Sequence, residues 1–437
     1  MVEGKSTKNL SGKTVRIEKL VTGGDGLGRL GDDPVFVPLT APGDLVLPGV
    51  IKRRRGVLYA KAERLVEESP ARRVPPCPYF QDCGGCNWMH LTCAAQAEWK
   101  AVILSETLRR IGGIDAGPGV ETVLSPSEFG WRHRIRLHHV RGNLGFFRRG
   151  SHSLVSWDRC LLIPDDLNRA VSVLRASLAK KKGFLPLRSV EIALSPVDGN
   201  ISVLWEETGQ IGQVRLMGLM TTIEENLISA GLAGSCQGVI SGSTSRVIRR
   251  QGSPLLLTGG AEATTLASPG TFFQVNPEQN KILVSRILSL LKERRVRSMV
   301  DLFCGNGNFS IPAAGRGIRV TGVDSSPGAV ADAKAATCGG EVEFVLSDVD
   351  SYMAAQKHPD LDAVLVDPPR AGLSRAVKSA LVSRRPGMII YVSCDPATLA
   401  RDLKFFVQSG YQLVSAEPFD MFPNSSHIET LAVVKNL

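Results

Sequence analysis

From residue 276 onward the chain repeats one unit: a helical stretch, a short apolar run and a turn marked by glycine or an acid. The runs are "VRSMVDLFCG", "IRVTGVDSS", "EFVLSD", "LDAVLVDPP" and "GMIIYVSC". Apolar strands alternating with helices pair in parallel, because each return crosses over through a helix. The expected architecture is therefore α/β, a doubly wound Rossmann-like sheet over residues 269–437. Such sheets bind ligands beyond the carboxyl ends of their strands. What stands there is a glycine turn, Asp324, Asp348, Asp367 and Cys394.

The 437 residues exceed one ordinary core and suggest two or three domains. Residues 12–68 read as short strands between glycine turns, the texture of a small OB-like β-barrel. Its segment Lys52-Arg53-Arg54-Arg55, with Tyr59 nearby, suits a phosphate backbone and a stacked base, or else a solvated hairpin. After a proline-rich linker over 67–80, residues 71–268 form a central α+β segment, with helices expected in the stretch from 91 to about Arg110 and near 165–180 and 210–230. The stretch 131–150 alternates basic, apolar and aromatic residues, as a strand facing RNA would. A net charge of +10 favours a polyanionic partner. No signal-peptide core and no membrane-length apolar run is visible, so a cytoplasmic protein is expected. Nine cysteines in such a chain argue for metal-binding or catalytic use rather than disulfides.

The turn "DLFCGNGNFS" (301–310) has glycines at 305 and 307, letting backbone approach a ligand. It lacks the third glycine of a dinucleotide fingerprint and the lysine of a P-loop. Asp324, ending the next strand, suits ribose hydroxyls. Glycine turn, acid, acid and Asp-Pro-Pro in this order resemble the S-adenosylmethionine-dependent methyltransferase fold; a generic nucleotide-binding domain is the alternative.

"CPYFQDCGGC" sets Cys77, Cys83 and Cys86 close together. Soft thiolates at this spacing suit zinc or an iron–sulfur cluster. The fourth ligand is Cys93, within a predicted helix, or Cys160, in a loop; spacing leaves both open.

These motifs, with "FFQVN", "DPPR", "SCDPATLARD" and "FPNSSHIET", make the chain similar to the bacterial RNA (uracil-5-)-methyltransferase family, over roughly residues 12–437. The resemblance is to its 23S ribosomal RNA branch, with an N-terminal TRAM barrel and a [4Fe–4S] cluster. It implies Cys77, Cys83, Cys86 and Cys160 as cluster ligands, Cys394 as nucleophile and Glu429 as base. It further implies Gln274, Phe303, Gly305, Asn308, Asp324, Asp348 and Asp367 around S-adenosylmethionine, with 23S RNA as the partner of a monomeric enzyme. Asp395 replaces the family's usual asparagine, and Asp324 its common glutamate.

Carbon 5 of uracil is a poor nucleophile. A thiolate adding at C6 makes C5 nucleophilic towards a sulfonium methyl, after which a base must remove the C5 proton. The cysteine of "VSCDP" could otherwise be packing, and His427 competes with Glu429 as base. Gln274 offers a donor and an acceptor, and Arg370 is available to a phosphate. The target uridine has to leave its stack or lie in a loop. Rival expectations are a transfer RNA T-loop substrate, a cytosine-5 enzyme, and a non-catalytic iron–sulfur RNA-binding protein.

Overall fold

The computed structural model describes residues 12–436 apart from 118, 181–185, 209–212, 242–246, 259–262, 338 and 356–360. The first eleven residues, part of the segment read for a signal peptide, lie outside the described residues.

Strands β1 (Val15–Leu20), β2 (Gly26–Leu30), β3 (Asp33–Val37), β4 (Leu45–Arg54) and β5 (Val57–Glu67) close into a barrel ordered β1-β2-β3-β5-β4. The alternation of apolar and polar residues sends Val15, Ile17, Val35, Val37, Val46 and Leu58 inward. The β4–β5 hairpin turns through Arg55 and Gly56, with φ of 48° and 82°. Two left-handed residues match the twist of the flanking strands. Lys52 stands opposite Tyr59, whose ring stacks on Phe36 at 5.4 Å. Arg53, by contrast, is held by Asp33.

Helix α1 (Cys93–Thr107) follows, capped by Thr92. Next come β6 (Arg134–Val140), β7 (Asn143–Phe147), β8 (Leu154–Val155), α2 (Asp165–Ala179), β9 (Leu187–Leu194), β10 (Ile201–Glu207), α3 (Gln213–Ser229), β11 (Ser235–Ser241) and β12 (Val247–Gln251). Their sheet runs β12-β11-β10-β9-β6-β7-β8. Leu167, Leu174 and Ile223 from the two helices pack on Ile135, Val190 and Val203. Helix α1 packs elsewhere: Leu104, with Leu108 just past its end, joins Leu399, Leu403 and Phe406 of the C-terminal domain.

The hairpin β13 (Leu255–Thr258) and β14 (Thr264–Ala267) leads into α4 (Pro277–Glu293), whose N-cap is Asn276. The alternating pattern then folds as β15 (Ser298–Leu302), α5 (Ser310–Ala314), β16 (Arg319–Asp324), α6 (Pro327–Ala336), β17 (Val342–Leu346), α7 (Val349–Ala355), β18 (Ala363–Val366), α8 (Arg375–Arg384), β19 (Met388–Ser393) and α9 (Pro396–Gln408). Strands β20 (Tyr411–Phe419) and β21 (Glu429–Asn436) finish it. The order is β17-β16-β15-β18-β19-β21-β20, with the first five parallel and β21 antiparallel to both neighbours. This is the Rossmann-like sheet that the sequence predicts. Its reversal at β19–β21 brings the start of β21 to the carboxyl edge where β18 and β19 end.

Candidate active site and the four-cysteine pocket

Three adjacent strands deliver the reactive side chains. Asp367 follows β18, Cys394 follows β19, and Glu429 opens β21. Ser393 and Thr430 are the last paired positions of β19 and β21, so Cys394 and Glu429 lie one residue beyond them. Glu429 is buried, and its carboxyl is raised well above the usual range by burial and then by Asp367. Burial likewise pushes Asp367 up to about 7. The Cys394 thiol is pushed up to about 11, by burial first and then by the Glu429 and Asp367 carboxylates, with Arg370 opposing. An isolated Cys394 is therefore a protonated thiol at neutral pH. A cation entering between these groups favours the thiolate.

The scaffold of this edge explains the residues around the two motifs. Asp395 caps α9 by accepting from the Thr398 N–H at 2.8 Å, and Pro396 starts the helix. On the same helix Asp402, fully buried, accepts from Tyr391 Oη (2.9 Å), Lys378 Nζ (2.7 Å) and the Leu373 N–H (2.8 Å). Thr398 and Arg401 donate to the carbonyls of Arg370 and Ala371 at 3.0 and 2.8 Å. Thus "SCDPATLARD" clamps the loop carrying Asp367 and Arg370. Gly372 has φ 76°, and a Cβ there would meet Thr398, Asp402 and Arg401.

The glycine turn lies beside this edge. Phe303, Gly305 and Gly307 have φ of 65°, 56° and 85°. A Cβ on Gly307 would lie 2.8 Å from Ile311, whereas Gly305 faces open space. Asp324 accepts from the N–H groups of Gly305 (2.9 Å) and Ser326 (2.7 Å), which fixes its carboxylate against the turn. The buried Asp301 is pushed up to about 7, mainly by burial; it accepts from Ser310 Oγ at 2.5 Å, and its other oxygen has no partner among the described residues. Asn308 exchanges two hydrogen bonds with Asn280 of α4 (2.8 and 3.0 Å). Both line a narrow cleft with Gln274, Phe273 and His133. Gln274 is half-buried, and its amide has no hydrogen-bond partner among the described residues. An open glycine turn, a fixed carboxylate and a free amide suit an amino-acid nucleoside such as S-adenosylmethionine. Asp348 is exposed and caps α7 through the Ser351 N–H at 2.8 Å, next to Ser347, whose N–H donates to the Asp324 carbonyl at 3.1 Å.

His427 lies at the surface, edge-on to Phe422 at 5.6 Å. Desolvation and then Arg370 hold its pKa below the ordinary value.

Cys77, Cys86 and Cys160 pack against one apolar cluster of Phe80, Met89, Trp131, Leu162 and Val275. Burial raises the Cys86 thiol strongly, and neighbouring Cys160, Cys83 and Cys77 raise it further. The same causes push Cys160 up to about 11, opposed by backbone N–H groups of Leu162 and Ile163. The Gly85 N–H donates to Cys83 Sγ at 3.4 Å. Arg132 is the cation near Cys86 and Cys160. Four half-buried cysteines, with the Gly85 N–H at Cys83 and Arg132 near Cys86 and Cys160, are of the residue type that ligates zinc or an iron–sulfur cluster. Among the described residues, no group of three or more His, Cys, Asp or Glu side chains is arranged to hold a single metal ion. Cys93 opens α1, exposed, and contacts Arg73 at 3.9 Å.

Most cations of 131–150 are engaged within the protein. Arg132 donates to the Arg134 carbonyl (3.1 Å), Arg134 lies over Phe272 and Phe273, and Arg136 pairs with Glu191 (3.2 Å). Arg141, Arg148 and Arg149 are exposed, the last two facing Asp82 (3.1 Å) and Asp25 (3.9 Å), and His138 stacks on Phe147 at 3.7 Å.

Sequence reasoning did not single out Arg73, Gln96 or Asn424, which are hydrogen-bonded together, Lys100, which pairs with Asp420, or Asp402, which holds the loop after Asp367. Only Asp402 and Asn424 fell inside quoted motifs. No long apolar helix of membrane-crossing type exists among the described residues.

Residues 350–436 match the sequence profile of tRNA (Uracil-5-)-methyltransferase, and residues 299–382 that of a methyltransferase domain. The 23S rRNA (uracil(1939)-C(5))-methyltransferase RlmD of Shewanella amazonensis is 32% identical over 440 residues, covering 98% of this chain and 96% of that protein. RlmD of Nitrosococcus oceani is 30% identical over 435 residues, covering 95% and 94%. Among solved structures, Pyrococcus abyssi tRNA (uracil-54, C5)-methyltransferase with S-adenosyl-L-homocysteine superposes with a TM-score of 0.74 at 26% identity, covering 97% of this chain and 100% of that one.

Proposed function

The chain belongs to the RNA (uracil-5-)-methyltransferase family, and from that premise we propose that it methylates C5 of a uridine in 23S ribosomal RNA through a covalent adduct on Cys394. The observation that carries this reading is the placement of Asp367, Cys394 and Glu429 at the ends of three neighbouring strands. Bound S-adenosylmethionine supplies an electrophilic methyl group and a positive sulfonium. Gly305, Asp324, Asn308 and Gln274 would hold it, with Phe303 and Asp348 at the margin and Asp367 between it and the uracil.

Cys394 adds to C6, and the displaced π electrons make C5 the nucleophile that takes the methyl group. Glu429 then accepts the C5 proton; the C–H electrons restore the C5–C6 double bond and the Cys394 sulfur leaves as thiolate. Glu429 is favoured over His427 because it opens β21 next to β19 and its charge bears directly on the Cys394 thiol.

Cys77, Cys83, Cys86 and Cys160 would hold a [4Fe–4S] cluster in the central domain, and the barrel would act as a TRAM-type RNA grip. The domains assigned are 12–68, 71–268 and 269–437, in a cytoplasmic enzyme acting as a monomer. Ribosomal RNA is chosen over a transfer RNA T-loop on two ribosomal relatives of matching length. Mapping 5-methyluridine in 23S and transfer RNA from cells lacking the protein tests this. Loss of one 23S site supports it, and loss of the T-loop modification alone overturns it.

A further inference from the structure

The loop between β20 and β21 must deliver Glu429 to Cys394, yet it carries no regular structure. One residue at its centre makes six of the hydrogen bonds that fix it. Asn424 is fully buried and has φ 66°. Asparagine is among the few non-glycine residues that tolerate this conformation. Its Oδ1 accepts from Arg73 Nη2 at 2.7 Å and from Gln96 Nε2 at 3.3 Å. Its Nδ2 donates to the Glu128 carbonyl at 3.3 Å. Its own N–H donates to Gln96 Oε1 at 2.7 Å, and its carbonyl accepts from the N–H groups of Asn87 and Trp88 at 3.3 and 3.1 Å.

The partners matter as much as their number. Asn87 and Trp88 directly follow Cys86, and their side chains reach the barrel carbonyls of Gly23 and Gly24 at 3.1 and 3.0 Å. Asn87 also holds Ser426, donating to its Oγ at 2.8 Å and accepting from its N–H at 2.9 Å. Ile428, next to Glu429, packs with Trp88 and with Leu20 of the barrel. Cys394, in contrast, is placed by β19 and α9, which make none of these bonds.

We infer that Asn424 is a positioning residue for Glu429, tying the loop that carries it to the cysteine segment and, through Asn87 and Trp88, to the barrel. This rests on the proposed role of Glu429 as base. Loosening the loop then slows proton removal and release of the adduct, while attack by Cys394 and methyl transfer proceed.

The experiment is a single-turnover assay with radiolabelled methyl donor and target RNA, following methyl incorporation and release of the protein–RNA adduct separately. Asn424→Gly keeps the backbone conformation and removes the side chain. It is expected to slow release by about 10- to 100-fold, the scale for a misplaced catalytic group, with methyl transfer and cofactor affinity unchanged. Asn424→Asp, which keeps the oxygen facing Arg73 and Gln96, is expected to release faster than Asn424→Gly. Gln96→Ala, on a helix where alanine is favourable, tests the same link should Asn424→Gly not fold, and is expected to show the same split. Normal release, or equal slowing of both steps, overturns the inference. Glu429→Gln run alongside separates the two claims. If it stalls while Asn424→Gly and Gln96→Ala release normally, only the positioning role fails. If all three release normally, the base assignment fails and takes the positioning role with it.

Discussion

Cys394 and Glu429 stand one residue beyond the paired positions Ser393 and Thr430, on antiparallel strands at the carboxyl edge of an otherwise parallel sheet. That reversal is what lets a nucleophile from one motif and a carboxylate 35 positions later share one site. It also sets their electrostatics, since the Glu429 carboxylate raises the Cys394 thiol.

The pH dependence of Cys394 follows. Its pKa is pushed up to about 11, so the reactive thiolate fraction grows as pH rises through that value. Alkylation of Cys394 in the free enzyme is expected to accelerate up to that range. Glu429→Gln removes a negative neighbour and moves the profile to lower pH. A positively charged cofactor analogue does the same, and neutral S-adenosylhomocysteine does not. Mass spectrometry of the peptide containing Cys394 measures each case; identical profiles would contradict the coupling.

The cysteine pocket gives a compositional prediction. Anaerobically purified protein is expected to contain about four irons per chain, the content of a four-thiolate cubane. Cys160→Ala loses this iron and the brown colour, while Cys93→Ala keeps both. Iron and sulfide analysis of the three proteins checks it.

For RNA binding, the barrel hairpin separates free from engaged cations. Lys52 and Arg54 are exposed, whereas Arg53 is paired with Asp33. Lys52→Gln and Arg54→Gln should each weaken RNA binding and lower the salt slope by about one. Arg53→Gln should change it less. Filter binding at several salt concentrations distinguishes them.

Gly372→Ala tests the clamp on the Asp367 loop. A left-handed alanine costs roughly 1–2 kcal/mol, and its Cβ would also press on Thr398 and Asp402. Urea unfolding should show a loss of at least that size, with weakened cofactor binding.

The catalytic fold was legible because its strands are continuous apolar runs that end in glycine or acid, a local signal. Cys394 and Asp367 could be read as strand-end residues for the same reason. The four cysteines were visible as types, yet spacing did not choose between Cys93 and Cys160. The structure packs Cys160 with Cys77 and Cys86 and leaves Cys93 at the exposed start of α1. The linker reading of 67–80 missed Arg72 and Arg73, which bind Asp44 and Asn424. In the basic stretch 131–150, Arg132 and Arg134 are engaged within the protein, while Arg136 is exposed and pairs with Glu191. Partners distant in sequence hold several of these charges: Asp44 and Asn424 for Arg72 and Arg73, Phe272 and Glu191 for Arg134 and Arg136. Asn424 was invisible for the same reason, because Arg73, Gln96 and Glu128 lie about 300 or more positions away.

The central claim is the division of labour between Cys394 and Glu429, and denaturing electrophoresis of enzyme mixed with target RNA and S-adenosylmethionine tests it most directly. Glu429→Gln is expected to accumulate a covalent RNA adduct already carrying the new methyl group, because the C5 proton has to leave before the carbon–sulfur bond breaks. Cys394→Ala is expected to form no adduct and transfer no methyl. An active Cys394→Ala enzyme, or normal turnover by Glu429→Gln with adduct accumulating in His427→Ala instead, would contradict the account.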